Sequence, residues 1–151
     1  MKKRGFEIVS AYAQASISLP VRKTAASAGY DIQAAEDRCL EPHRVSLIAT
    51  GLKAYMQPDE YLALHVRSGF SVRHAVSCIN SQGIIDADYY NNPDNEGHIM
   101  IPLINHGEQP VYIAKGTRIA QGIFCKYLTA DNESSAGAAV RMGGFGSTGE
   151  N

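Results

Sequence analysis

The apolar residues of this chain come in short runs separated by turn residues, and no segment carries a ten-residue stripe of helical period. This constrains the fold more than any other feature, because a helix must repeat apolar side chains every three or four positions to bury a face. Residues 6–10, 30–34, 44–48, 52–56, 61–67, 77–80, 98–105, 111–113 and 119–128 read instead as strands. Leu62, Leu64 and Val66 share one face, the period-two pattern of a half-buried strand. Residues 99–104 are apolar on both faces and are expected to be sandwiched. Between the runs lie breakers such as Gln57-Pro58-Asp59, Asn92-Pro93-Asp94 and Lys115-Gly116-Thr117. Many short strands with regular turns imply an all-β antiparallel sandwich or jelly roll, and 151 residues suffice for one such domain.

Charge narrows the partners. Lys and Arg number 14 against 15 Asp and Glu, a net charge of −1, with no basic block. Duplex nucleic acid and anionic membranes both demand a large positive patch, so neither is an expected partner. No run of 18 apolar residues is present, and Glu7 and Ser10 interrupt the region that a signal peptide would need after the basic start. Cys39, Cys78 and Cys125 form no CxxC pair and read as reduced small hydrophobes of a cytoplasmic protein. The five histidines show no HxH or HxxxH spacing, so no zinc site is expected, and no GxSxG marks a serine nucleophile.

Residues 129–151 differ from the rest. They hold five glycines, no Leu and no Ile, too little apolar surface to offset the entropy of ordering. A domain over residues 1–128 and a flexible glycine-rich C-terminal arm over 129–151 are therefore expected. The arm ends Gly143-Gly144-Phe145-Gly146-Ser147-Thr148-Gly149, which contains GxGxxG. A dinucleotide fold is not expected, because that fingerprint must follow a strand and open a helix and the chain stops two residues later; nor is a Walker loop, because no Lys precedes the hydroxyls. Glycine amides, two hydroxyls and Arg141 could wrap phosphate oxygens; a plain flexible tail is the alternative.

Two further clusters carry chemistry. Arg67-Ser68-Gly69 follows a strand directly and offers a guanidinium fork, a hydroxyl donor and close backbone approach, or else a solvated surface turn. Residues 80–89, Asn80-Ser81-Gln82-Gly83-Ile84-Ile85-Asp86-Ala87-Asp88-Tyr89, read as a hairpin bent near Gly83. Its backbone edge with one Asn amide suits a pyrimidine's hydrogen-bonding edge. Asp86 and Asp88, two apart on an extended strand, would share a face, where one could activate a water; the alternative is that both are turn residues and Tyr89 is core.

Ala28-Gly29-Tyr30-Asp31-Ile32, Arg67-Ser68-Gly69-Phe70, Gly83 to Tyr89, Arg118-Ile119-Ala120-Gln121 and Gly143 to Gly149 occur in that order. The set resembles the five ordered motifs of the trimeric deoxyuridine triphosphate nucleotidohydrolases (dUTPases). The resemblance implies a distorted jelly-roll or β-clip barrel, a homotrimer with active sites at subunit interfaces, and hydrolysis of dUTP to dUMP and pyrophosphate. That reaction keeps uracil out of DNA and supplies dUMP for thymidylate synthesis. By this likeness Asp86 would deprotonate the water that attacks the α-phosphorus, with Mg2+ on the triphosphate. Asn80 and the backbone of Gly83, Ile84 and Ile85 would read uracil. Tyr89 would pack under the deoxyribose, leaving no room for a 2′-hydroxyl, and Met100 would line the same pocket. Arg67, Ser68, Gly69 and Gln121 would contact phosphates. Asp31 would reach the metal only through water, with no direct protein ligand. Arg141, Phe145, Gly146, Ser147 and Thr148 would close over the site.

Two departures from the family pattern stand out. Residues 90–97 are a longer stretch than usually follows the tyrosine, and Arg141 lies four residues before Phe145, one closer than usual. A dCTP deaminase of the same fold is an alternative, although that chemistry needs a Glu beside the hairpin and the nearest residue is Gln82. A non-catalytic dUTP-sensing regulatory protein is another.

Overall fold

The computed structural model describes residues 1–133 and 140–144. Its strands are β1 (Gly5–Ile8), β2 (Val21–Arg22), β3 (Tyr30–Gln33), β4 (Arg38–Leu40), β5 (Val45–Ala49) and β6 (Leu52–Tyr55). They continue with β7 (Glu60–Val66), β8 (Val76–Cys78), β9 (Gly83–Asp86), β10 (Met100–Asn105), β11 (Val111–Ile113) and β12 (Arg118–Lys126). A seven-residue helix, α1 (Ser68–His74), and 3-10 turns at Ser10–Tyr12 and Ala87–Tyr89 lie between them. Among the described residues no helix is long and apolar enough to cross a membrane.

The strands pair antiparallel into a five-stranded sheet ordered β2-β3-β12-β7-β9, a three-stranded sheet β5-β10-β8, and two ribbons, β1-β6 and β11-β4. Alternation of side chains along β3, β7, β10 and β12 sends Ile32, Leu62, Leu64, Ile101, Leu103 and Ile119 into one core, where Leu40, Ile48 and Leu52 meet them. Each such side chain, buried completely, contributes roughly 1.5–3 kcal/mol of transfer free energy. The outcome is the jelly-roll-like all-β architecture implied by the turn-punctuated pattern. Glu60, buried at the start of β7, accepts from Arg4 Nε and Nη2, each at 2.7 Å, and so ties the N-terminus to the large sheet.

Several expectations are corrected. Residues 99–104 are not buried on both faces: in β10 Ile101 and Leu103 point inward while Met100, Pro102 and Ile104 remain half-buried. Residues after β7 do not form a simple turn, because Ser68 opens α1, whose two turns are shorter than the helical stripe that periodicity detects. The bend expected near Gly83 lies just before it, at Ser81 with φ +66°, and Gly83 itself begins β9. The described part of the segment 129–151 contains neither helix nor strand, and Phe145, Gly146, Ser147 and Thr148 lie outside the described residues.

Candidate functional site

Two clefts gather nearly all the described residues that the sequence singled out. The first, about 260 Å³, lies beside β9, the edge strand of the large sheet. On its inner side β9 pairs with β7, Asp86 opposite Tyr61 and Ile84 opposite Ala63. Its outer edge has no partner strand among the described residues, so backbone groups there are free to meet a ligand. Gly83, Ile84, Ile85, Asp86, Tyr89, Asn80, Met100 and Arg141 all line this cleft.

Asn80 stands in the turn that precedes β9. Its Oδ1 accepts from the Cys78 thiol at 3.0 Å, which leaves its Nδ2 as the donor turned to other partners. Burial pushes that thiol pKa above its ordinary value, keeping it protonated as the donor. Tyr89 is 5 % exposed, and burial likewise raises its phenol. It is a neutral wall of the cleft.

Asp86 closes β9 in extended conformation, and Asp88 sits on the 3-10 turn that follows. The two were expected to share a face of one extended strand. The chain instead leaves the strand after Asp86, yet both carboxylates converge on a single guanidinium. Arg141 Nη2 donates to Asp86 Oδ2 at 2.5 Å, Nε donates to Asp88 Oδ1 at 2.6 Å, and Nη1 donates to the Gly143 carbonyl at 3.0 Å. The guanidinium also lies 6.0 Å from the centroid of the Tyr89 ring, a cation–π distance. Beside it Gly144 comes so near that a Cβ would stand 2.9 Å from Tyr89 Cε1. Only glycine fits against that ring.

The second cleft, about 360 Å³, is polar and shares no lining residue with the first. It holds Arg67, Ser68 and Gly69 at the start of α1, with Gln121 from β12 and Asp31 from β3. Antiparallel register sets Gln121 directly across from Asp31. The Asp31 carboxylate faces Arg67 Nε at 3.2 Å through one oxygen and Arg118 Nη1 at 3.5 Å through the other. Ala28 and Gly29 line it too, as do Lys23 and Ser27, which were not foreseen. Only their place just ahead of Gly29 and Asp31 hints at it. Leu64, Cys78, Ile101 and Pro102 in the first cleft also escaped, because apolar wall residues carry no chemical signature.

Among the described residues no three His, Cys, Asp or Glu side chains converge as a metal cage. Together the clefts offer a slot with apolar walls beside a carboxylate, and a polar patch whose Lys23, Arg67, Ser68 and Gln121 can meet an anion.

The family model described as dUTPase matches residues 15–149. The deoxyuridine 5′-triphosphate nucleotidohydrolase of Lactococcus lactis is 50 % identical over 149 residues, 99 % of each chain. The crystal structure of dUTPase from Streptococcus mutans superposes with a TM-score of 0.80 at 43 % identity, covering 85 % of this chain and 99 % of that one. A mutant dUTPase from phage phi11 of S. aureus, in which a structural Mg(II) ion is coordinated, gives a TM-score of 0.72 at 20 % identity over 88 % of this chain and 96 % of that one. That last likeness speaks for the fold alone.

Proposed function

Because the chain belongs to the dUTPase family, we propose that it hydrolyses dUTP to dUMP and pyrophosphate, Asp86 deprotonating the water that attacks the α-phosphorus. The observation that carries this reading is the first cleft, where a half-exposed carboxylate stands beside a buried tyrosine at the end of β9, whose outer edge has no partner strand among the described residues. Uracil presents alternating donors and acceptors, which the backbone groups on the outer edge of β9 around Ile84 and Ile85 and the Asn80 amide can match. Tyr89 lies under the deoxyribose, and Met100 lines the same wall.

The triphosphate, with about four negative charges, is held by Arg67, Ser68, Gly69 and Gln121, and catalysis is mostly positioning and charge stabilisation. Arg141 rests on Asp86 and Asp88, which are 51 % and 60 % exposed. A polyanion competes with the two carboxylates for this guanidinium, and drawing it away frees Asp86 for the water. Phe145, Gly146, Ser147 and Thr148 then close over the nucleotide as the arm of residues 129–151, and the closed site excludes bulk water.

A single carboxylate shared between Arg67 and Arg118 suits an Mg2+ carried by triphosphate oxygens better than a metal caged by protein ligands. Asp31 would hold such an ion through its waters, and the ion would neutralise phosphate charge. A cytoplasmic homotrimer with sites at its interfaces follows the same reading. It is supported by the separation of the two clefts on one chain, which a neighbouring subunit would bring together. An apolar sheet face supports it too: cross-strand partners Val45 and Ile104, Leu47 and Pro102 lie together on β5 and β10, with Val45 and Leu47 well exposed. Such an enzyme keeps uracil out of DNA and supplies dUMP for thymidylate synthesis.

The test is pyrophosphate release from dUTP, with dCTP, dTTP and UTP as controls. Asp86→Asn should lower kcat on the order of 10²–10⁴-fold with little change in dUTP binding. Near-normal turnover would remove Asp86 from its role, and ammonia release from dCTP would point to a deaminase instead.

A further inference from the structure

The loop of residues 91–97, most of the stretch of residues 90–97 that lengthens this chain after its tyrosine, grips Tyr89 at both ends. Asn92 is 5 % exposed, and its Nδ2 donates to the Tyr89 carbonyl at 2.8 Å. Its Oδ1 accepts the backbone N–H of Asp94 at 3.0 Å and of Asn95 at 3.1 Å, the side-chain-to-backbone pattern by which Asn folds a turn back on itself. At the far end of the ring, Asn95 Nδ2 donates to the Tyr89 hydroxyl oxygen at 2.8 Å, and that hydroxyl donates to the His98 carbonyl at 2.8 Å.

The orientation of the Asn95 amide is determined by its other end. Asn95 Oδ1 accepts from Asn92 Nδ2 at 2.8 Å and from the Gly97 N–H at 3.0 Å, so the nitrogen must face the phenol. Gly97 has φ +88°, and a Cβ there would stand 2.8 Å from the Tyr89 carbonyl, so the loop can close on the tyrosine only through glycine. The loop is anchored to β6 in turn, where Lys53 Nζ donates to Asn91 Oδ1 and Glu96 Oε2, each at 2.7 Å.

A tyrosine needed only for bulk could be Phe, and neither of its hydroxyl bonds would matter. Here the ring is held at the tip, where a small rotation about its side-chain torsions moves the ring edge furthest. We propose that Asn95 is a positioning residue for sugar discrimination: through the Tyr89 hydroxyl it fixes the ring at the depth that excludes a ribose 2′-hydroxyl. This rests on the proposed place of Tyr89 beneath the deoxyribose.

The test measures kcat/KM for dUTP and UTP on the wild type, Asn95→Ala, Tyr89→Phe and the double variant. Because each ratio is taken on one protein, general loss of stability cancels. Asn95→Ala should raise UTP relative to dUTP by about fivefold to tenfold, the effect of losing one positioning hydrogen bond, with kcat for dUTP within about twofold of wild type. Tyr89→Phe loses that bond and the one to the His98 carbonyl, so it should raise the ratio at least as much, and the double variant should go no further than Tyr89→Phe alone. An unchanged ratio in folded Asn95→Ala, or effects that add in the double variant, would overturn the proposal while leaving Tyr89 in place. Should Asn95→Ala fail to fold, an unchanged ratio in Tyr89→Phe would overturn it equally. Equal use of UTP and dUTP by the wild type would overturn both the proposal and the reading of Tyr89 on which it rests.

Discussion

Lowering the pH from 7.5 to 5.5 should weaken the folded state through one side chain, His98, by an amount with a calculable ceiling. His98 Nε2 accepts the Gly51 N–H at 2.9 Å, and the ring packs 5.1 Å from that of Tyr12. A ring nitrogen that accepts carries no proton, so protonation must break this bond. Burial lowers the His98 pKa, opposed only in part by the charges of Glu36 and Glu96. The unfolded chain therefore takes up a proton near the ordinary value of about 6.5, while the folded chain resists until its own lower value is reached. Between those two values the unfolded state binds more protons, so stability falls as pH falls. If the folded ring stays neutral throughout, two pH units centred on 6.5 remove about 1.4 kcal/mol, and any uptake by the folded state makes the loss smaller. Glu60 and Glu96, both held below the usual carboxylate range by their cationic partners, titrate under this window. Urea unfolding at pH 7.5, 6.5 and 5.5, at one protein concentration, measures the slope. His98→Gln keeps an amide oxygen for the Gly51 N–H but cannot titrate, so its slope should be the shallower by up to that amount. Equal slopes in the two proteins would refute the reasoning.

Stronger acid tests a different contact. The Glu60 carboxyl is kept low chiefly by its hydrogen bonds from Arg4, so its stabilisation is present above the unfolded value of about 4.3 and lost as pH falls through the folded one. Arg4→Met should therefore begin acid unfolding at a higher pH by circular dichroism, and an unmoved midpoint would show that the pair contributes nothing. Deleting residues 137–151 removes none of the core cluster, so the thermal midpoint should move by no more than a few degrees, while turnover of dUTP falls steeply. A fully active truncated protein would reduce the arm to a linker.

Much of this molecule is legible in the order of its residues. Each of the nine runs read as strands holds one, because a half-buried strand leaves a period-two imprint that needs no knowledge of its neighbours. β2 and β4 leave none: Val21 and Arg22 are both exposed, and only Leu40 of β4 is buried, so pairing partners and not burial make them strands. α1 is two turns long, with a left-handed Ala75 at its end where glycine would have signalled a stop.

The candidate site divides in the same way. The kinds of residue needed for a nucleotide are visible as motifs, since chemistry resides in side-chain type and local spacing: a fork of Arg with Ser and Gly, an Asp at the end of a strand, a glycine-rich tail. Which of them meet is not local. Asp31 faces Arg67 and Arg118 only because β3 and β12 pair in one register, and Arg141 reaches Asp86 across more than fifty residues of chain. Residues 91–97, in sequence merely a polar breaker around Pro93, become the clamp on Tyr89 once Lys53 of β6 holds Asn91 and Glu96 in place. A polar side chain can bond only to what the fold brings within about 3 Å, and that distance is set by pairing and burial that the whole chain decides together.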